Sequence, residues 1–132
     1  MYLKIKKSLK FLIYFFIIFW CSISFAQEWK SAVKMGTGDE FYVDLNSKKK
    51  NKNFVIVTVL NDYGYPDPFN KSKSSIQDIA FDCKNMKFQF LNDKFFSKQM
   101  GRGLVIQSSN RPMPVMNMPK GSAYDIISKL VC

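Results

Sequence analysis

Three kinds of side chain in this 132-residue chain could do chemistry: Cys21, Cys83 and Cys132; the methionines Met113, Met116 and Met118; and the lysines Lys48, Lys49, Lys50 and Lys52. Histidine is absent altogether. That removes the commonest general base and metal ligand, and with them Ser-His and Cys-His nucleophile pairs and most zinc sites. An enzyme is therefore not expected. Thioether clusters can hold Cu(I) in exported proteins, but no cysteine or histidine stands near Met113, Met116 and Met118. Three prolines run through the same stretch, NRPMPVMNMP, so it reads as a crossover whose methionines fill gaps against the core. No metal and no cofactor are expected. The chemistry left is that of thiols and of charge.

What the thiols do depends on the compartment, and the N-terminus decides that. Residues 1–26 carry Lys4, Lys6, Lys7 and Lys10 without an acid, then an apolar run from Phe11 to Trp20, then Ser24-Phe25-Ala26. This is the order of a secretory signal cut after Ala26. The apolar run is about half the ~20 residues that cross a bilayer, so no transmembrane span is expected once the signal is gone. Cys21 could instead mark a lipoprotein cleavage site, but the bulky Trp20 before it opposes that processing. A signal over 1–26 leaves residues 27–132 as one domain, with Cys83 and Cys132 as its only thiols. An exporting cell delivers them to an oxidising compartment, periplasm or cell surface, where they are expected to form a single disulfide.

The cysteines also sit where such a bond could close. In SSIQDIAFDC, Gln77, Ile79, Phe81 and Cys83 share one face of an extended strand from Ser74 to Cys83. Gly121-Ser122 opens a helix that Ser122 can cap, with Asp125 in its first turn and Ala123, Ile126, Ile127, Leu130 and Val131 as its apolar stripe. Tyr124, Asp125, Ser128 and Lys129 are then its polar side, and Cys132 ends it. The other elements are short. Glu28 to Lys34 and Asp39 to Leu45 flank the turn Met35-Gly36-Thr37-Gly38 and should pair as a hairpin. Phe54 to Leu60, FVIVTVL, is apolar on both faces and reads as a central strand covered on both sides. Met86 to Leu91 places Met86, Phe88 and Phe90 inward, Phe95 to Met100 runs back after Asn92-Asp93, and Leu104 to Ser108 follows Gly101-Arg102-Gly103. The fold expected is α+β: a small antiparallel sheet with one C-terminal amphipathic helix packed on it.

Charge suggests partners. Loss of Lys4, Lys6, Lys7 and Lys10 takes the formal net charge from +10 to +6, so the mature domain is basic and favours anionic surfaces such as acidic glycans. The run NSKKKNKN is either a solvated hairpin tip or an anion contact through Lys48, Lys49, Lys50 and Lys52. Tyr63, Tyr65 and Phe69, in the proline-broken loop YGYPDPF, are either a lid folded on the sheet or an aromatic contact surface. The two loops leave opposite ends of the central strand and should not form one pocket. No nucleic-acid partner is expected.

The order of features resembles the surface-adhesin protein E family of Gram-negative bacteria. The matching pieces are the Trp29 strand just after the signal, Phe41-Tyr42-Val43-Asp44, the central strand running into Leu60-Asn61-Asp62-Tyr63, Ser74 to Cys83, Phe96-Ser97, and Gly121-Ser122 before Val131-Cys132. The adhesin that names the family binds host matrix and serum proteins, so the resemblance implies an exported binding module, with host matrix or serum proteins as its candidate partners; a second copy of the chain, as a homodimer, is a further candidate. The competing expectation is an envelope housekeeping protein with no host ligand.

Overall fold

A computed structural model describes Lys10 and residues 27–132. The signal read over residues 1–26, with Cys21, otherwise lies outside the described residues. Eight strands form one antiparallel sheet: β1 Trp29–Lys34, β2 Glu40–Asn51, β3 Phe54–Asp62, β4 Ser74–Asp82, β5 Lys87–Phe90, β6 Asp93–Phe96, β7 Val105–Ser109 and β8 Met116–Asn117. Helix α1, Ala123–Val131, follows. The expected α+β fold is the one observed.

Strands β1 to β4 pair in chain order. The far side of β4 is shared, β5 pairing with Ile79 to Asp82 and β6 with Ser74 to Ile76. β7 adds to β6, and β8 to β5. Cross-strand partners point to the same face. The pairs Val43 with Val59, Val57 with Ile79, Val55 with Phe81, and Phe81 with Phe88 therefore build a single apolar face. Helix α1 covers it with Ala123, Ile127 and Val131, and Met118 fills beside them.

The helix is turned from its expected orientation. Asp125 and Ser128 are buried, while Ile126 and Leu130 are exposed. Tyr124 causes the turn: its ring stacks on Phe88 at 4.6 Å and meets Phe41 and Phe90 edge-on at 5.8 and 5.5 Å. An aromatic ring carries more apolar area and contact energy than the Ile126 side chain it displaces from the interface. Burial of Asp125 is tolerable because its Oδ2 accepts from the Gly121 N–H at 2.8 Å and from Lys129 Nζ at 3.0 Å.

Among the described residues no helix covers the other face of β3. Leu60 is buried by the turn at Gly101, where an added Cβ would lie 2.6 Å from the Ile76 side chain, and Phe54 at the far end is exposed. The expectation of a strand covered along both faces is thus corrected: one cover is α1 and the other a single turn. That turn replaces the strand expected from Phe95 to Met100, since β6 stops at Phe96 and Ser74 Oγ donates to the Lys98 carbonyl while accepting from the Gly101 N–H. Met86 also departs. It takes φ +54° in the β4–β5 turn and is exposed rather than inward.

Candidate functional site

The lysine run is not a loop. β2 continues through it to Asn51, Lys49 opposite Ile56 and Lys50 opposite Val55, so that only Lys52 and Asn53 make the turn. A bulge permits the extension: the register moves from Asp44–Thr58 to Lys49–Ile56. Ser47 ties it down, its Oγ donating to the Asp44 carbonyl at 2.6 Å and accepting from the Thr58 N–H at 2.8 Å. The extra residues bend the strand and leave Leu45 exposed, although it alternates in step with the buried Phe41 and Val43.

Because side chains alternate along a strand, the four predicted lysines divide. Lys48, Lys50 and Lys52 line a cleft of about 330 Å³, while Lys49 points to the opposite face with Ile56. The cleft gains Lys84, which sequence reasoning missed although it follows Cys83 directly. Its floor is Val55, Val131 and the Cys83–Cys132 disulfide, whose Cα atoms lie 5.8 Å apart. The Cys83 N–H bonds the Asn53 carbonyl at 3.2 Å, which fixes the β2–β3 turn against the end of β4. No aspartate or glutamate is among the described residues that line the cleft. Asp82 is adjacent in sequence, but it pairs with Phe54 on the other face and its carboxylate accepts from the N–H groups of Lys84 and Asn85 and from Asn85 Nδ2. Those bonds, the Asn85 side chain's first, hold its pKa below the usual carboxylate range.

The aromatic residues are at the opposite end of β3, as expected; Tyr63 and Tyr65 line one cleft there, and Phe69 is not among its lining residues. Tyr63 is half-buried; burial is the main cause that pushes its hydroxyl pKa up, and a hydrogen bond with Ser75 works against it. Tyr65 and Phe69 are 81% and 93% exposed, so the lid reading is corrected for both. Their loop is nonetheless ordered by its own polar groups. Asp67 Oδ1 accepts from the Phe69 and Asn70 N–H groups at 2.8 and 3.1 Å, and Asn70 Oδ1 accepts from Ser72 N–H at 2.9 Å. Gly64 N–H donates to Asp39 Oδ1 at 2.8 Å, and an added Cβ at Gly64 would lie 2.7 Å from the Thr37 carbonyl oxygen. The loop and the β1–β2 turn are therefore pressed backbone to backbone. Turn-forming Asp and Asn side chains substitute here for a hydrophobic anchor.

The methionines part as well: Met118 is buried in the core and Met116 packs against it, while Met113 is exposed. Among the described residues no helix is long and apolar enough to cross a membrane.

Solved structures with this architecture exist. Crystal form II of Haemophilus influenzae protein E superposes with a TM-score of 0.57 at 16% identity, covering 84% of this chain and 96% of that one. Protein E from non-typeable Haemophilus influenzae gives a TM-score of 0.52 at 17% identity, covering 84% and 79%. At such identity the likeness is one of fold. No curated relative matches by sequence. A model of the family described as surface-adhesin protein E matches residues 29–132, nearly the whole described domain, and the chain therefore belongs to the surface-adhesin protein E family.

Proposed function

We propose that this is an exported, non-enzymatic adhesin-type domain that sits on the cell surface and contacts an acidic partner, a host matrix or serum protein or an acidic glycan, through the cleft at Lys48, Lys50, Lys52 and Lys84. The observation that carries the reading is the convergence on one cleft of four lysines, three from the end of the β2–β3 hairpin and one from the β4–β5 turn, with no aspartate or glutamate among the described residues that line it. Side chains two apart on a strand stand about 6.8 Å from each other, and like charges at that spacing repel by about 0.6 kcal/mol per pair in water. An anion bound between them relieves that repulsion and adds its own attraction. Membership in an adhesin family supports the same reading.

Binding of the purified domain to heparin and to matrix proteins over a salt series is the test, with Lys48, Lys50, Lys52 and Lys84 changed together to glutamine. Affinity should fall with salt for the original and drop about tenfold or more at low salt for the variant. Equal binding by both at every salt concentration would remove the cleft from the proposal. Protease shaving of intact cells checks the location, because a surface adhesin must be cut from outside.

One observation favours a second contact. Tyr65 and Phe69 project from a rigid loop, and rigid exposed aromatics are efficient contact residues because little entropy is lost on binding. Replacing both with alanine should weaken a protein partner with little dependence on salt.

A further inference from the structure

The cleft contains more than charge. The Cys83–Cys132 bond lies in its floor, and both cysteines are exposed rather than packed in the core. We propose that this disulfide is a thiol-exchange site that selects anionic low-molecular-weight thiols, with Lys48, Lys50, Lys52 and Lys84 as the selecting charges. The proposal does not rest on the adhesin reading, since it needs only the bond and its surroundings.

Two physical effects act in the same direction. A cluster of four ammonium groups with no aspartate or glutamate among the described lining residues raises the local concentration of a negatively charged thiol. The same groups stabilise the thiolate that departs, and a leaving thiol of lower pKa leaves faster. The charges are available for this: the ion pair formed among the described residues is Lys129 with Asp125, on the helix, and the nearby Asp82 is engaged by its own turn. The chemistry balances with the thiol as reductant. A thiolate attacks one cysteine sulfur, a new sulfur–sulfur bond forms as the Cys83–Cys132 bond breaks, and the electron pair leaves on the other cysteine. A second thiol resolves the mixed disulfide. Two thiols are oxidised to one disulfide, and the protein's cystine takes up their two electrons and two protons to become two cysteines.

The reaction has a structural outcome. The bond ties the end of α1 to the end of β4, beside the buried Val131. A helix of nine residues is marginal without tertiary support, so reduction loosens its last turn and opens the sheet face at Val55.

Reduction rates of the purified folded domain measured with mercaptoethanesulfonate, mercaptoethanol and cysteamine, each per unit of thiolate, test the selection. The anionic thiol should outpace the cationic one by about tenfold or more at low salt, and the ratio should collapse between about 20 mM and about 500 mM salt. In the variant with all four lysines changed to glutamine the ratio should approach that of a small model disulfide at either salt. Lys84→Gln alone, at the end of the cleft formed by the β4–β5 turn, should give an intermediate ratio in case the fourfold change disturbs the fold. A wild-type ratio that matches the model disulfide, or that does not respond to salt, overturns the proposal, as does a bond that resists all three thiols until the protein is unfolded.

Discussion

Asp125 shows how one side chain can cap, pair and sit in the interface at once. Its N–H donates to Ser122 Oγ at 3.2 Å, its Oδ2 accepts from Gly121 and Lys129, and Ser128 Oγ returns a bond to its carbonyl. The Gly121 N–H, then the Lys129 ammonium, holds its carboxyl below the ordinary range. The folded pKa is thus lower than the unfolded one, so the ionised carboxylate stabilises the fold above about pH 4, and this contribution is lost as the pH falls through the depressed value. Asp125→Asn should therefore lower Tm at neutral pH, and the gap to the original should narrow as the solution is acidified below pH ~4. A gap of constant size from neutral to acid would show that the charge contributes nothing. Tyr124, one residue earlier, is pushed up to about 12 by burial, with Tyr63 adding to the shift, so it stays neutral under the stacked Phe88 ring.

Among the elements, the β2–β3 hairpin and the loop from Tyr63 to Lys73 carry the two proposed contacts, and each is held by a device that a strand pattern does not display. In the hairpin it is the Ser47 hydroxyl inside the bulge. Ser47→Ala leaves the Thr58 N–H without its partner and should cost about 1–3 kcal/mol, while heparin binding falls because Lys48 and Lys50 lose their alignment. Unchanged stability together with unchanged binding would mean that the bulge holds itself. In the loop the device is Gly64. A methyl there meets the Thr37 carbonyl and the Gly38 backbone, none of which is the free end of a side chain. Gly64→Ala should destabilise by about 1–3 kcal/mol, read in urea unfolding, and should leave heparin binding intact because the cleft lies at the other end of β3.

For the molecule as a whole, the disulfide and the α1 interface share one task, the closure of a single apolar face by a nine-residue helix. The bond spans 49 residues, a loop worth about 4 kcal/mol on the chain-entropy model. Cys83→Ser with Cys132→Ser should lower stability by about 2–5 kcal/mol and speed hydrogen exchange in α1 before it does so in β3 and β4. Equal Tm for the two proteins, or equal exchange in the helix, would place the closure in packing alone.

The sequence by itself determined the antiparallel sheet and the closing helix with its Ser122 cap, because each is written locally as alternation of period 2 and as a capping residue before an apolar stripe; the Cys83–Cys132 pair was legible because the expected signal over residues 1–26 leaves those two thiols in the rest of the chain. It also marked Lys48, Lys50 and Lys52, though as a loop, since Asn, Ser and Lys have weak strand propensity and only pairing with Val55 and Ile56 overrides it. Tertiary structure alone decided the rest. The rotation of α1 depends on where Phe88 lies beneath Tyr124, the bulge at Ser47 depends on Thr58 across the hairpin, and Lys84 reaches the cleft only because the disulfide and the Asn53 carbonyl hold the end of β4 against the β2–β3 turn. These are contacts between residues 10 to 50 positions apart, and no periodicity within one segment reports them.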